Sequence, residues 1–183
     1  MNEKGLPTAC HPGATIAAGG LTPSHRRTAL AALCAAAWLA ATSCDTIPAY
    51  RARTIGGEQF TSESLKGSVV LVQFWTTWCP YCRQDQPALD AIERQYYSRG
   101  LMVLAVNVGE PREKVTAYLR RSPRHCRVVA SEDTNLAAVL GTGGFPNYVL
   151  IGRDGRIAGR QSGAGGEESL RQLLAKAGIP GSP

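Results

Sequence analysis

Two cysteines near the middle of the chain have the spacing of a redox pair. Cys79 and Cys82 are separated by Pro80 and Tyr81, so that together they form the motif CPYC. Because a helix is predicted to begin near Pro80, the first cysteine lies where free backbone N–H groups and the positive end of the helix dipole favour a thiolate. Three residues later the chain has turned once, and the second sulfur lies close to the first. The pair can therefore close a disulfide and open it again.

Half of a zinc site and a static structural disulfide are the two other interpretations of such a pair. Zinc needs four ligands. From Cys44 onward the chain adds only Cys126 and His125, and these do not form a matching second pair. The position between a buried strand and a helix favours reactivity over a static bond. Redox exchange is the preferred interpretation, with no metal ion and no cofactor.

A strand before the pair and a helix after it must position the two sulfur atoms. Val69–Trp75 (VVLVQFW) is a nearly continuous run of β-forming residues, which predicts a buried central strand. The predicted helix after Pro80 carries Leu89, Ile92 and Tyr96 at spacings of three and four. Gly100 is expected to end this helix before the next strand.

Strands and helices alternate along the remaining chain. Further strands are predicted at residues 101–108, 127–130, 148–151 and 157–161, and further helices at residues 111–123, 135–140 and 170–177. Asp154-Gly155 is typical of a hairpin turn between the last two strands. This order predicts an α/β fold with a mixed central β-sheet and helices on both faces. The segment containing Cys79 then leaves the sheet at the edge where catalytic loops are expected.

These segments together resemble the thioredoxin superfamily. Residues 69–82 (VVLVQFWTTWCPYC) resemble its active-site strand and turn, and residues 143–159 (GGFPNYVLIGRDGRIAG) resemble its second half. More narrowly, the chain is similar to the TlpA/ResA-like branch of exported, membrane-associated thiol–disulfide oxidoreductases, and the residues that carry this similarity are 65–67, 75–82, 105–110 and 154–156. The resemblance covers roughly residues 55–179 and implies a thioredoxin-like fold.

The resemblance implies roles for the residues around the pair. Cys79 is the expected attacking thiolate and Cys82 the more buried resolving thiol, and the two exchange with a target through a mixed disulfide. Pro146 matches the cis-proline that faces the active site and presents neighbouring backbone groups to a target. The expected target-binding residues are Trp78, Pro80, Tyr81, Phe145 and Pro146.

Two acidic residues are expected to assist proton transfer. Asp85 stands one helical turn after Cys82, where ResA-like proteins commonly have an acidic residue, and Glu110 matches a second acidic position of the branch. Cys82 must lose a proton before it attacks, so both are predicted to be catalytic. The other interpretation of Asp85 is a first-turn charge favoured by the helix dipole. Gln73 replaces the buried Asp of cytosolic thioredoxins, so a carboxylate relay is absent there.

The N-terminal region predicts export. Arg26 and Arg27 precede the 14-residue apolar run TALAALCAAAWLAA, and small residues follow it, which is typical of a secretory signal. The residues ending at Cys44 resemble a bacterial lipobox, in which Cys44 becomes lipidated and anchors the chain to a membrane surface. Release into the exported compartment is the alternative. The predicted organisation is a leader at residues 1–43, a tether at residues 44–54 and a thioredoxin-like domain at residues 55–183.

The composition limits the other functional classes. The chain has 183 residues, of which 44% are hydrophobic and 19% charged, which is typical of one globular domain. Its net charge of +6 is spread without a long Lys/Arg run, so nothing supports nucleic-acid binding. Cys126 is expected to be a buried, small apolar residue.

The sequence therefore predicts an extracytoplasmic thiol–disulfide oxidoreductase that works mainly as a reductase of disulfides in exported proteins. The resemblance implies targets such as the heme-binding cysteines of apocytochrome c and an electron donor of the DsbD/CcdA type in the membrane. The protein is expected to be a monomer. Two alternatives stay open: a disulfide oxidase or isomerase, and a periplasmic copper-binding module on the same fold. Copper carriers of that type use C-x-x-x-C with a distant His, whereas this chain has C-x-x-C.

Overall fold

The computed structural model describes residues 47–180, and within them seven strands form one mixed sheet. The strands are β1 (Arg51–Thr54), β2 (Gln59–Thr61), β3 (Val69–Trp75), β4 (Leu101–Asn107), β5 (Arg127–Thr134), β6 (Asn147–Ile151) and β7 (Ile157–Ser162). Their order across the sheet is β2-β1-β5-β4-β3-β6-β7. The helices are α1 (Pro80–Tyr96), α2 (Arg112–Arg121), α3 (Leu136–Leu140) and α4 (Gly166–Ala175), and a 3-10 turn at Tyr97–Arg99 follows α1.

Strand β3 lies in the interior of the sheet and is buried on both faces. It pairs in parallel with β4 and antiparallel with β6. Leu71 and Trp75 face one hydrophobic cluster, whereas Val70 and Phe74 face the other. Successive side chains of a strand point to opposite faces, so burial on both sides requires an apolar residue at nearly every position. This is the reason for the continuous run VVLVQFW.

Helices cover both faces of the sheet, which confirms the predicted fold class. Helices α1, α2 and α4 contribute Leu89, Val115 and Leu170 to the first cluster. On the other face, α3 contributes Leu136 and Leu140 to the second cluster. The sheet is therefore the middle layer of an α/β structure with a core on each side.

The parallel strands bring their carboxyl ends to one edge, which is where the cysteine pair lies. Strands β3, β4 and β5 are parallel to one another. Trp75 is paired with Asn107 at the end of β3 and β4. The turn that leads from β3 to α1 therefore starts beside the loop that leaves β4, and groups on the two loops can meet.

Three strands differ from the sequence-based expectation, and one of them, β2, has no counterpart among the predicted strands. Strand β1 occupies residues that were assigned to the tether, and β5 extends four residues beyond its predicted end at Ala130. In β1 only Ala52 and Thr54 point inward, and both are too small or polar to mark a strand. The pairing of Ala52 with Thr134 orders both segments at once. Long-range pairing, which local sequence does not report, determines these strands.

The predicted hairpin turn is confirmed, whereas the predicted helix ends at Tyr96 and a 3-10 turn continues the chain to Gly100. Gly100 follows the 3-10 turn in the left-handed conformation with φ of 83°, a region that residues with a Cβ rarely adopt. Gly155 has φ of 76° in the turn between the antiparallel strands β6 and β7. Chain reversal at these points leads the chain into β4 and β7.

The predicted leader and the proposed lipidation residue Cys44 lie outside the described residues. Within residues 47–180, every helix is too short or too polar to cross a membrane.

Candidate active site

Cys79 and Cys82 form a disulfide at the start of α1. Their Cα atoms are 5.3 Å apart. Cys79 is the N-cap residue of the helix, and its sulfur accepts a hydrogen bond from the backbone N–H of Cys82 at 3.0 Å. Cys79 is 2% exposed and Cys82 is fully buried. The helix thus offers a hydrogen-bond donor to the Cys79 sulfur, and this interaction favours a thiolate when the bond is reduced.

A rim of aromatic residues surrounds the pair at the surface. Trp78 and Tyr81 are 62% and 61% exposed, which is unusual for large hydrophobic side chains. The Trp78 ring makes an edge-on contact with Phe145, with centroids 6.0 Å apart. The Phe145–Pro146 peptide bond is cis. The contact between Trp78 and Phe145 therefore connects the turn before the cysteine pair with the loop that carries the cis-proline.

Glu110 holds the turn that precedes Cys79. Its carboxylate accepts hydrogen bonds from the backbone N–H and the hydroxyl of Thr77, each at 2.6 Å, and from the amide of Asn107 at 2.7 Å. Lys114 forms an ion pair with it at 2.8 Å. Burial by itself raises the pKa of Glu110, but the hydrogen bonds from Asn107, Lys114 and Thr77 outweigh burial and lower the pKa to about 2.

These contacts give Glu110 a positioning role that sequence reasoning missed. A carboxylate with a pKa near 2 stays ionised at neutral pH and accepts hydrogen bonds without giving up a proton. Its bonds to Thr77 hold the chain two residues before Cys79. The observed partners of Glu110 belong to the turn, to the end of β4 and to α2, and its acid–base role stays a prediction.

Asp85 lies fully buried on α1, one turn after Cys82. One carboxylate oxygen accepts the Tyr148 hydroxyl at 3.0 Å and the Gly165 N–H at 3.3 Å. The other oxygen accepts the Gly166 N–H at 3.0 Å. A buried carboxylate with three donors is a specific structural feature, not the solvated first-turn charge that was the other interpretation. Its catalytic role stays a prediction.

Gln73 connects Asp85 to a cation that the sequence pattern did not indicate. The Gln73 amide nitrogen donates to the Tyr148 hydroxyl oxygen at 3.1 Å, and its amide oxygen accepts from Arg124 at 2.9 Å. The Arg124 guanidinium also lies 3.5 Å from the centre of the Trp75 ring. The one sequence signal for this network was the polar Gln73 within an apolar strand. Nothing in the local sequence distinguishes Tyr148 from other strand residues or Arg124 from other loop residues.

Cys126 is buried in the core, as expected. It is 4% exposed, and the Gln86 amide is 3.8 Å from its sulfur. Burial raises the pKa of the Cys126 thiol to about 12, and the charge of Arg124 offsets only part of this. This thiol is therefore a poor nucleophile at neutral pH.

Metal ligands are not grouped in the part of the chain that the structure describes. Within residues 47–180, no three His, Cys, Asp or Glu side chains are placed to hold one ion.

A buried cysteine pair at a helix start, with a cis-proline in a loop that contacts the neighbouring Trp78 through Phe145, defines a thioredoxin-like oxidoreductase on this mixed sheet. Comparison with known proteins agrees. The Redoxin family matches residues 42–174. The thiol-disulfide oxidoreductase ResA of Geobacillus thermodenitrificans is 27% identical over 129 residues, which are 70% of this chain and 74% of the relative. ResA of Halalkalibacterium halodurans is 26% identical over 118 residues, which are 64% and 67% of the two chains.

Solved structures show the same fold. A thiol:disulfide interchange protein of the thioredoxin family from Chlorobium tepidum aligns with a TM-score of 0.64 and 26% identity, covering 73% of this chain and 96% of that one. The chain belongs to the Redoxin family, within the TlpA/ResA-like branch of the thioredoxin superfamily. It is a thiol–disulfide oxidoreductase.

Proposed function

We propose that this protein is an extracytoplasmic reductase of disulfides in exported proteins. The observation that carries the proposal is the pair of sulfurs, one slightly exposed and one fully buried, beneath an exposed aromatic rim. A small-molecule thiol as reaction partner would need no exposed aromatic surface, whereas exposed Trp78 and Tyr81 are suited to packing against a protein target. The relatives named thiol-disulfide oxidoreductase ResA support the same class of reaction.

The proposed reaction has two exchange steps. In the first, the Cys79 thiolate attacks one sulfur of the target disulfide; the target S–S bond breaks, and its other sulfur leaves as a thiolate. In the second, Asp85 takes the Cys82 proton, and the Cys82 sulfur bonds to Cys79. The mixed disulfide then breaks, and the second target sulfur leaves with its electron pair. The target gains two electrons, and Cys79 and Cys82 become the disulfide.

Export and re-reduction belong to the same proposal. The basic residues and apolar run before Cys44 support export, and the lipobox-like residues support an anchor through Cys44 at the outer face of the membrane. The Cys79–Cys82 disulfide of a reductase must be reduced again after each turnover. The resemblance to the ResA-like branch supports a membrane electron donor of the DsbD/CcdA type. Apocytochrome c is the first exported target to test.

The midpoint potential of the Cys79–Cys82 couple tests the direction of the reaction. Equilibration with defined glutathione or dithiothreitol buffers, read by mass after thiol alkylation, yields the potential. We expect a value below about −220 mV, which is the range of reductases. A value near −120 mV would instead identify an oxidase that inserts disulfides and would overturn the proposal.

Binding of Cu(I) provides a separate check against the copper-carrier alternative. The reduced protein is expected to reduce a protein disulfide, and Cu(I) at equal concentration is expected to leave this activity measurable. Tight Cu(I) binding together with no disulfide reductase activity would favour the binding module.

A further inference from the structure

A chain of hydrogen bonds connects the half-buried Arg124 to the buried Asp85. Arg124 donates to the Gln73 amide oxygen at 2.9 Å, Gln73 donates to the Tyr148 hydroxyl at 3.1 Å, and Tyr148 donates to Asp85 at 3.0 Å. Gln73 and Tyr148 are direct partners across β3 and β6, on the face of the sheet that α1 covers. Side chains from the loop before β5, from β3, from β6 and from α1 therefore meet in this series of hydrogen bonds.

The chain of bonds has only one possible direction. A guanidinium has donors and no acceptor, so the oxygen of the Gln73 amide must face Arg124. The Gln73 nitrogen must then face Tyr148 and can only donate to the hydroxyl oxygen. The Tyr148 proton is left free to point at Asp85. The identity of Arg124 at one end thus determines that Asp85 accepts a hydrogen bond at the other end.

Burial keeps this arrangement intact. Gln73, Tyr148 and Asp85 are each fully buried, so water does not compete for their bonds. Burial raises the pKa of the Tyr148 hydroxyl, and the negative charge of Asp85 raises it further. Tyr148 therefore keeps its proton and stays a donor. Arg124 is the cation at the other end of this network, separated from the Asp85 carboxylate by the side chains of Gln73 and Tyr148.

We propose that Arg124 is a positioning residue for the exchange reaction: through Gln73 and Tyr148 it holds the Asp85 carboxylate in place to accept the Cys82 proton. This rests on the proposed role of Asp85 in the second exchange step. Asp85 and Cys82 are three residues apart on α1, and side chains at this spacing are neighbours on a helix. Arg124 itself does not touch the reacting sulfurs; it acts through the direction of the bonds.

The two exchange steps can be timed separately with 5,5′-dithiobis(2-nitrobenzoate) and the reduced full-length chain. The first release of 2-nitro-5-thiobenzoate reports attack by Cys79, and the second reports attack by Cys82. The double variant Cys79→Ser/Cys82→Ser supplies the background from the remaining cysteines. Both phases are measured between pH 5 and pH 9 in Arg124→Met and Tyr148→Phe.

We expect both variants to move the midpoint of the second phase to higher pH by about one unit, and therefore to slow this phase about tenfold at pH values below the midpoint. The first phase should stay within about twofold, because the donor to the Cys79 sulfur is unchanged. Arg124→Lys should recover part of the rate. The double variant Arg124→Met/Tyr148→Phe should be no slower than Tyr148→Phe alone, because both substitutions interrupt the same series of hydrogen bonds.

Control variants separate this proposal from the role of Asp85. Arg121→Met makes the same change at an exposed arginine of α2 and should leave both phases unchanged. Asp85→Asn should abolish the pH dependence of the second phase; if it does not, the base role of Asp85 is wrong. If Asp85→Asn slows that phase but Arg124→Met and Tyr148→Phe do not, the base role stands and the positioning role of Arg124 is overturned. Thermal unfolding of each variant identifies any that fail to fold. If Arg124→Met fails to fold, the second-phase rate of Tyr148→Phe tests the positioning role in its place.

Discussion

The three cysteines that the structure describes differ in what surrounds each sulfur. Cys79 receives a backbone hydrogen bond at the start of α1, Cys82 is enclosed by the core, and Cys126 is buried as a free thiol. A thiolate is stabilised by donors and destabilised by burial without them. The local environment thus ranks these sulfurs by reactivity, although all three are nearly inaccessible to solvent.

The order of attack should appear in single cysteine variants. Cys79→Ser is expected to abolish disulfide reduction, because the attacking sulfur is gone. Cys82→Ser should retain the first step and accumulate mixed disulfides with the target, which non-reducing electrophoresis and mass spectrometry detect. Turnover that persists in Cys79→Ser would contradict the assignment of the attacking sulfur.

Cys126 should resist alkylation in the folded protein. Its pKa of about 12 leaves almost no thiolate at pH 8, and its burial blocks access. After reduction, iodoacetamide should modify Cys79 at least about a hundredfold faster than Cys126, as peptide mass mapping over time would show. Denaturant should remove the protection. Equal rates in the native state would mean that Cys126 is exposed in solution.

At the level of elements, the active-site helix is tied to the last helix of the chain. Asp85 on α1 accepts the backbone N–H groups of Gly165 and Gly166, where α4 begins. Gly166 has φ of 68°, which favours glycine. An added Cβ at Gly165 would lie 2.6 Å from the Ser169 side chain. The close approach of α4 to Asp85 therefore depends on two adjacent glycines.

Gly165→Ala is expected to lower the free energy of unfolding by about 1–3 kcal/mol, because Ser169 or the helix start must shift. Urea denaturation measures this. Gly56→Ala is the matched control, since its added Cβ meets only Thr54, at an ordinary 3.7 Å. An equal effect of both variants would show that the close contact at Gly165 is not what matters.

At the level of the whole molecule, two buried carboxylates give stability opposite dependences on pH. Hydrogen bonds outweigh burial at Glu110 and lower its pKa to about 2. Burial dominates at Glu93 and raises its pKa to about 7, although Arg127 lies 2.9 Å away. The folded protein binds fewer protons than the unfolded chain at Glu110 and more at Glu93, relative to an unfolded pKa of about 4.3.

The free energy of unfolding should therefore decline on two separate limbs. The Glu110 contribution is present above about pH 4.3 and is lost as pH falls toward 2, whereas the Glu93 contribution is lost as pH rises from about 4.3 through 7. Glu110→Gln should flatten the acid limb, and Glu93→Gln should flatten the neutral limb. Urea denaturation at a series of pH values measures both.

Glu63→Gln is the control for this experiment, because the Glu63 side chain is 75% exposed and should change neither limb. If Glu93→Gln left the neutral limb unchanged, the ion pair with Arg127 would be keeping Glu93 ionised. The assignment of that limb would then be wrong.

The sequence by itself determined the features that local chemistry encodes. The CPYC motif after a doubly buried strand predicted the dithiol and its position at a helix start, because the apolar run and Pro80 are local signals. The turns at Gly100 and Gly155 followed in the same way from residues that tolerate positive φ. The resemblance of these segments to one superfamily then supplied the fold.

Only the tertiary structure decided which side chains meet. Strand β1 exists because β5 offers it a partner, and Glu110 binds Thr77 because β3 and β4 end side by side. Arg124 lies in a loop and donates to Gln73, which is 51 residues away in sequence. No local sequence pattern predicts this contact. Hydrogen bonds of this kind form only when the donor–acceptor distance is correct to within a few tenths of an ångström. For residues far apart in sequence, that distance is determined only when the whole core packs.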